Sequence, residues 1–150
     1  MKSIRIYCKN DGMYQDVPKG ATLEEVYESL GLDLGCCVTS CKVNNRVEGL
    51  HYTINDSRDL EYLTLASPSG LRTYTRSLFF VLYKAVRDLY PEAELRIGTP
   101  VSGGYFCRLA LPGGITPEVP ERLRRRMAEI VASDLPFRRV TAHTPDAIEV

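Results

Sequence analysis

The stretch SIRIYCKNDGMYQDV, residues 3–17, constrains the fold of this 150-residue chain more than any other. Apolar and polar residues alternate on both sides of KNDG, which predicts two strands joined by a tight turn centred on Asp11-Gly12. A hairpin at the start of a chain cannot bury its apolar face alone. It therefore needs a packing partner from the residues that follow.

Those residues predict one helix and three further strands. Thr22 and Glu25 have the spacing of a capping box, and Gly31 predicts the end of the helix that begins there. TSCKVN and RVEGL flank Asn44-Asn45, which indicates a second hairpin, and DLEYLTL alternates as a final strand. The order strand, strand, helix, strand, strand, strand favours a small sheet that grasps one helix.

A second module is predicted to follow a linker, ASPSG, at residues 66–70. Apolar residues keep helical period from Thr75 to Tyr90, and Pro91 ends this helix. ELRI and YFCRLAL have the composition of strands. Gly103-Gly104 permits the turn between them.

The last third of the chain predicts a helix, a third strand and the beginning of another helix. The helix is TPEVPERLRRRMAEIVASD, and its inner stripe consists of Leu123, Met127, Ile130 and Val131. FRRVTA is the predicted strand, and TPDAIEV begins a helix capped at Thr144. The expected architecture is α+β, with one domain at residues 1–66 and another at residues 67–150.

Charge and hydropathy limit the partners of the chain. The formal net charge is zero, so the whole molecule has no bulk attraction to nucleic acid or anionic membrane. Residues 1–66 carry 7 Lys/Arg and 10 Asp/Glu, whereas residues 67–150 carry 12 and 9, which indicates two modules with different surfaces. Arg5 interrupts any signal-peptide core, and no apolar run approaches the roughly 20 residues of a membrane span. We therefore expect a cytoplasmic chain with no membrane partner.

The first module resembles a TGS domain, the ubiquitin-like β-grasp domain of threonyl-tRNA synthetases, Obg-like GTPases and stringent-response enzymes. The resemblance covers residues 1–66 and is carried by the Asp11-Gly12 hairpin, VPKGATLEEV, CKVNNRVEGL and LEYLT, in that order and spacing. It implies a small regulatory module that binds a ligand or RNA and is not a catalyst. A domain that serves only as a spacer is the alternative.

The second module resembles the editing-type domain that follows TGS in threonyl-tRNA synthetases and is shared in part with alanyl-tRNA synthetases. AVRDLYP, IGTPVSGGYF, RRRMAEI and DAIEV carry this resemblance. Editing domains have a His-x3-His pair on their first helix, and alignment on LYP puts these two positions at Arg76 and Phe80. Neither side chain can ligate a metal. The resemblance thus implies an incomplete editing-like domain, without catalytic residues or metal, whose other site residues would lie beyond residue 150.

The loss of both histidines is also seen in bacterial proteins that place these two domains ahead of a uridine-kinase-like P-loop domain. The chain resembles the N-terminal region of such a nucleoside kinase, and ATP and Mg would bind only in the kinase domain downstream. No G-x4-G-K-[ST] occurs in the chain, so no cofactor is expected in it. The main hypothesis is therefore a non-catalytic regulatory or ligand-binding region of such a kinase. The alternatives are an RNA-binding paralogue of the threonyl-tRNA synthetase N-terminal region and a divergent trans-editing hydrolase.

Arginines supply the candidate contacts for the phosphates of RNA or of a nucleotide. ERLRRRM and FRRV contain Arg122, Arg124, Arg125, Arg126, Arg138 and Arg139. Guanidinium groups bind phosphates well. A solvated helix face is the alternative, because no aromatic residues for base stacking are interleaved with these arginines.

The glycine turn of the second module is a candidate pocket, lined by Gly103, Gly104, Tyr105 and Cys107. No histidine lies near Cys107 in the sequence, which argues against a nucleophile. The five cysteines are expected to be reduced thiols, because the chain is expected to be cytoplasmic. CCVTSC lacks the second ligand pair of a structural zinc site, so zinc binding is not expected.

An incomplete second module would leave aromatic side chains partly bare. The residues concerned are Phe79, Phe80, Tyr83, Tyr105 and Phe106. Bare apolar faces and unpaired strands recruit partners, so self-association through this module is expected.

Overall fold

A computed structural model describes residues 2–138 of the chain. The elements in this range are β1 (Ser3–Cys8), β2 (Met13–Pro18), α1 (Leu23–Leu30), β3 (Val38–Val43), β4 (Arg46–Glu48), β5 (Asp59–Thr64), α2 (Pro68–Leu89), β6 (Glu94–Val101), β7 (Gly104–Ala110) and α3 (Glu118–Ala132). The chain divides into two compact units between Leu78 and Phe79, inside α2. The fold class is α+β, as predicted.

The first unit is a five-stranded sheet in the order β2-β1-β5-β3-β4. β1 and β5 are parallel, and the other neighbours are antiparallel. The core between the sheet and α1 includes Ile6, Leu23, Val26 and Leu60. The buried Tyr62 hydroxyl donates to the Leu23 carbonyl at 2.8 Å, which ties β5 to the start of the helix. This is the β-grasp arrangement expected from the order of elements.

The first hairpin turns through four residues rather than through two. Cys8 pairs with Met13, so the loop is KNDG, and Gly12 ends it with φ of 73°. The Gly12 amide donates to the Cys8 carbonyl at 2.9 Å, and Asp11 accepts from the Met13 amide at 3.0 Å. The turn is therefore two residues longer than the predicted tight turn centred on Asp11-Gly12, and the hydrogen bond to the Asp11 side chain stabilises it.

Two other local predictions are confirmed. Thr22 Oγ1 accepts from the Glu25 amide at 3.2 Å while the Glu25 carboxylate accepts from the Thr22 amide at 2.8 Å, which completes the capping box and lowers the pKa of Glu25. Gly31 caps the other end of α1 in the left-handed conformation. Asn44 and Asn45, with φ of 47° and 70°, join β3 to β4 in a two-residue turn.

α2 begins earlier than expected and includes most of the predicted linker. Pro68 is its first residue, and Ser67 Oγ accepts from the Gly70 amide at 3.0 Å as an N-cap does. The Ser67 amide and hydroxyl both donate to the Thr64 carbonyl, at 3.0 and 2.9 Å. Serine and proline therefore start the helix here, where the sequence pattern predicts a linker.

The described part of the second unit contains the β6–β7 hairpin and α3. Ser102 and Gly103, with φ of 48° and 81°, form the turn, so Gly104 begins β7 instead of sharing the turn as predicted. The small core includes Ala85, Val86 and Leu95.

α3 contributes Leu123 and Ile130 to this core and packs Met127 against it. Val131 is 62% exposed, so its expected place on the inner stripe is wrong. It lies one residue, or about 100°, beyond Ile130 on the helix surface.

The strand predicted from FRRVTA lies mostly outside the described residues, as does the helix predicted from TPDAIEV. Over residues 2–138, no helix combines the length and the apolar character that a membrane span requires.

Candidate nucleic-acid interface

The arginines of α3 fall on two sides of the helix. Arg122, Arg125 and Arg126 are spaced i, i+3 and i+4, which puts them on one side. Arg124 is two residues from both Arg122 and Arg126, so it points elsewhere. Arg138 is exposed, and Arg139 lies outside the described residues.

The Arg126 side chain is used in contacts within the protein. Its Nη1 donates to Glu129 at 2.9 Å, and its Nε and Nη2 donate to Asp88 Oδ2 at 3.0 and 2.8 Å. These bonds raise the pKa of Arg126, and the bond that it donates to Glu129 has the largest effect. The bonds from Arg126 and then Lys84 hold the pKa of Asp88 below its ordinary value. The guanidinium thus links α3 to α2 and offers little charge to a ligand.

The other α3 arginines differ in how free their charge is. Arg124 forms an ion pair with Glu121 at 3.0 Å. Arg122 lies over the Tyr90 ring, 5.5 Å from its centroid, and is exposed. Neither Arg122 nor Arg125 has a carboxylate partner within residues 2–138. These two side chains are therefore the α3 arginines that remain available to a ligand.

A second pair of arginines was missed by the sequence analysis. Arg96 on β6 lies directly opposite Arg108 on β7, and both are exposed. A register counted from the turn at Val101 and Gly104 does not predict that these two arginines face each other. Val101 pairs with Gly104 at the turn, and that register would put Arg96 opposite Leu109. An irregularity between Ile97 and Pro100 shifts the pairing by one residue.

The candidate pocket at the glycine turn is an open surface. Gly103, Gly104, Tyr105 and Cys107 are all exposed. Within the described residues, the Cys107 thiol makes one hydrogen bond, which it donates to the Tyr105 carbonyl at 3.7 Å. The Tyr105 ring packs edge-on against Phe79 at 4.9 Å. An open depression of about 390 Å³ lies elsewhere in the unit. It is lined by Tyr83, Val86, Arg87, Ala93, Glu94 and Leu95.

The two positions that the resemblance matches to the editing histidines lie in α2. Arg76 and Phe80 are four residues apart on this helix and both are exposed. Within residues 2–138, no three His, Cys, Asp or Glu side chains are grouped as a metal site requires.

The cysteines of the first unit fall into two environments. Burial raises the pKa of the Cys41 thiol to about 12 and also raises that of Cys8. Cys36 and Cys37 are exposed. The buried thiols therefore stay protonated and unreactive at neutral pH.

Comparison with known proteins shows which proteins this chain is similar to. No protein-family model matches the chain. A threonine–tRNA ligase of Desulforamulus reducens is 33% identical over 146 residues, which is 97% of this chain and 23% of the ligase. The ligase of Rubrobacter xylanophilus is 33% identical over 86% of the chain, and that of Clostridium novyi is 31% identical over 97%. These matches cover 20% and 23% of the two ligases.

The fold is thus that of a β-grasp domain followed by an α+β unit, consistent with TGS and editing-like domains. The chain is similar, at about 30% identity, to the N-terminal region of threonyl-tRNA synthetases. It spans about a fifth to a quarter of the length of these relatives.

Proposed function

We propose that the chain is a non-catalytic RNA-binding region related to the N-terminal region of threonyl-tRNA synthetases, with tRNA as its partner. The similarity to threonine–tRNA ligases, which extends over 97% of the chain, carries the proposal. Alignment on LYP places Arg76 and Phe80 at the two positions where an editing domain would have histidines, which supports a non-catalytic role. A domain that keeps the scaffold but lacks the groups that bind a metal or position water can still bind its ligand, but it has lost the means to hydrolyse it.

The surface of α3 supports RNA as the ligand. Arg122 and Arg125 are exposed and lack carboxylate partners in the described chain, so each can neutralise one backbone phosphate. The guanidinium of Arg122 is held over the Tyr90 ring, which limits the side-chain entropy lost on binding. Contacts of this kind provide affinity and position without sequence readout.

The competing functions have less support. A nucleoside-kinase parent, with ATP and Mg in a downstream domain, receives no support from the relatives named above, because each of them is a threonine–tRNA ligase. A trans-editing hydrolase is disfavoured by Arg76, which is always charged, and by Phe80, which has no lone pair to donate.

The test is tRNA binding by fluorescence anisotropy at several salt concentrations. We expect binding that weakens steeply with salt, and a log–log salt slope that falls by about 1 for each of Arg122→Ala and Arg125→Ala. Arg124→Ala is the matched control, because this side chain is paired with Glu121 and lies on another side of α3. Absence of tRNA binding at low salt would refute the proposal.

The same protein preparation tests the absence of catalysis. We expect no deacylation of aminoacyl-tRNA and no stoichiometric zinc by elemental analysis. One zinc per chain, or turnover above the uncatalysed rate, would favour the hydrolase instead.

A further inference from the structure

The β6–β7 hairpin carries two arginines in an arrangement that is unfavourable for the isolated chain. Directly opposed residues of an antiparallel pair project from the same face, so Arg96 and Arg108 place two positive charges side by side. Like charges in this position destabilise a hairpin. Leu95 and Leu109, the next pair along, point to the opposite face, where Leu95 is buried in the core. The arginine face is therefore the outward face.

Only one of the two charges is neutralised within the described chain. Arg96 Nε donates to Glu94 Oε1 at 2.7 Å, which fixes the direction of its guanidinium. Arg108 has no ion pair among residues 2–138. Glu94, Arg96, Arg108 and Ala110 line a small cavity of about 160 Å³ between the two side chains. The face thus has one unmatched positive charge beside a small cavity.

A bulge adds an aromatic ring to the same face. Ile97 pairs with Cys107 and Pro100 with Tyr105, so Gly98 and Thr99 both stand opposite Phe106. A Cβ on Gly98 would lie 3.3 Å from the Phe106 carbonyl and 3.5 Å from its ring, which explains why glycine occupies this site. Phe106 is two residues from Arg108 on β7, and the residue is 62% exposed.

We propose that this face binds one nucleotide of single-stranded RNA, with its phosphate between Arg96 and Arg108 and its base stacked on Phe106. The inference rests on the proposed RNA-binding function and names a site for it. A phosphodiester supplies the missing negative charge and can accept from both guanidinium groups. An exposed ring beside a phosphate contact is how single-stranded nucleic acid is bound without sequence readout.

The experiment uses the whole chain and two probes, an octamer of uridines and inorganic phosphate. In a ¹⁵N spectrum, both probes should shift the amides of residues 94–98 and 106–110, whereas an octamer of glutamates should not. By anisotropy, Arg96→Ala/Arg108→Ala should weaken octamer binding at least tenfold. Phe106→Leu, which keeps an apolar side chain but loses the ring, should weaken it about as much as Phe106→Ala does. Arg124→Ala should have little effect.

The outcomes separate this site from the proposed function. Octamer and tRNA binding that persists unchanged in the Arg96/Arg108 and Phe106 variants, but is lost in the α3 variants, would overturn the site and keep the function. Failure of the unaltered protein to bind tRNA would overturn both. Shifts caused by the glutamate octamer but not by the uridine octamer would overturn the site in favour of an acidic protein partner. Spectra of each variant show whether it is folded.

Discussion

Arg126 and Asp88, which lie 38 residues apart in the sequence, are joined through two guanidinium nitrogens that donate to a single carboxylate oxygen at 3.0 and 2.8 Å. Lys84, one turn before Asp88 on α2, donates to the other oxygen at 3.1 Å. The carboxylate therefore gathers two cations at the packing surface of α2 and α3, and its pKa is lowered by Arg126 first and Lys84 second.

This carboxylate should make the stability of the protein depend on pH. Because the pKa of Asp88 is lower in the folded state, its contribution is complete above the unfolded value, about 3.9, and is lost as the pH falls through the folded value. Asp88→Asn should lower Tm by less than about 5 °C at pH 6, since the pair is partly exposed. The difference should shrink as the pH falls below the unfolded value.

Thermal unfolding between pH 3 and pH 7 measures this effect. Glu92→Gln is the control, because it removes one exposed carboxylate without an ion pair in the described chain. A Tm difference for Asp88→Asn that stays constant across this pH range would contradict the assignment.

Gly70 should resist substitution although it lies in a helix, where alanine is normally favoured. A Cβ at this position would lie 2.1 Å from the Thr64 carbonyl oxygen, which is backbone and cannot move aside cheaply. Thr39 Oγ1 also donates to the Gly70 carbonyl at 3.2 Å. We expect Gly70→Ala to destabilise the protein by about 1–3 kcal/mol in urea unfolding, the usual cost of overpacking.

The matched control for Gly70 is Gly49→Ala, because no atom lies within 4 Å of the Cβ that it would add. Its effect should stay within about 0.5 kcal/mol, as is usual for surface substitutions. Stabilisation by Gly70→Ala would show that helix propensity outweighs the contact with Thr64.

Thiol reactivity should separate the five cysteines into two groups. Cys36, Cys37 and Cys107 are exposed, whereas Cys8 and Cys41 are buried and their pKa values are raised by that burial. A chromogenic disulfide reagent at pH 7.5 should therefore titrate three thiols quickly in the native protein and all five in denaturant. Rapid reaction of all five under native conditions would mean that the first unit opens readily.

Short sequence patterns were enough to predict most helices, strands and turns. The features that they did not predict depend on contacts between residues that are far apart in the sequence. The Thr22 capping box and the Asn44-Asn45 turn are contained within a few residues, so the sequence pattern was sufficient. The second carboxylate partner of Arg126, Asp88, is 38 positions away in the sequence. The pairing of Arg96 with Arg108 depends on a bulge, and one residue of register decides which side chains share a face.

The two units should differ in how easily they open. Ile6, Leu23 and Leu60 in the first unit are fully buried, whereas Leu95, Leu123 and Ile130 in the second keep 6–9% of their surface exposed. Within residues 2–138, β6 and β7 pair only with each other, whereas β1 and β5 are interior strands of their sheet. A two-stranded hairpin with a thin core opens at lower free energy than the centre of a five-stranded sheet.

Amide hydrogen exchange measures this difference directly. We expect the β6–β7 amides to exchange at least about tenfold faster than those of β1 and β5, because local opening exposes them without global unfolding. Phe80 and Phe106 are more than half exposed, and Tyr83 and Tyr105 are each 43% exposed, so the second unit also presents an apolar surface on which copies can associate. Light scattering across a concentration series would reveal that association, and Phe80→Ser should reduce it. Uniformly slow exchange in a protein that stays monomeric would instead mean that the second unit is complete and rigid by itself.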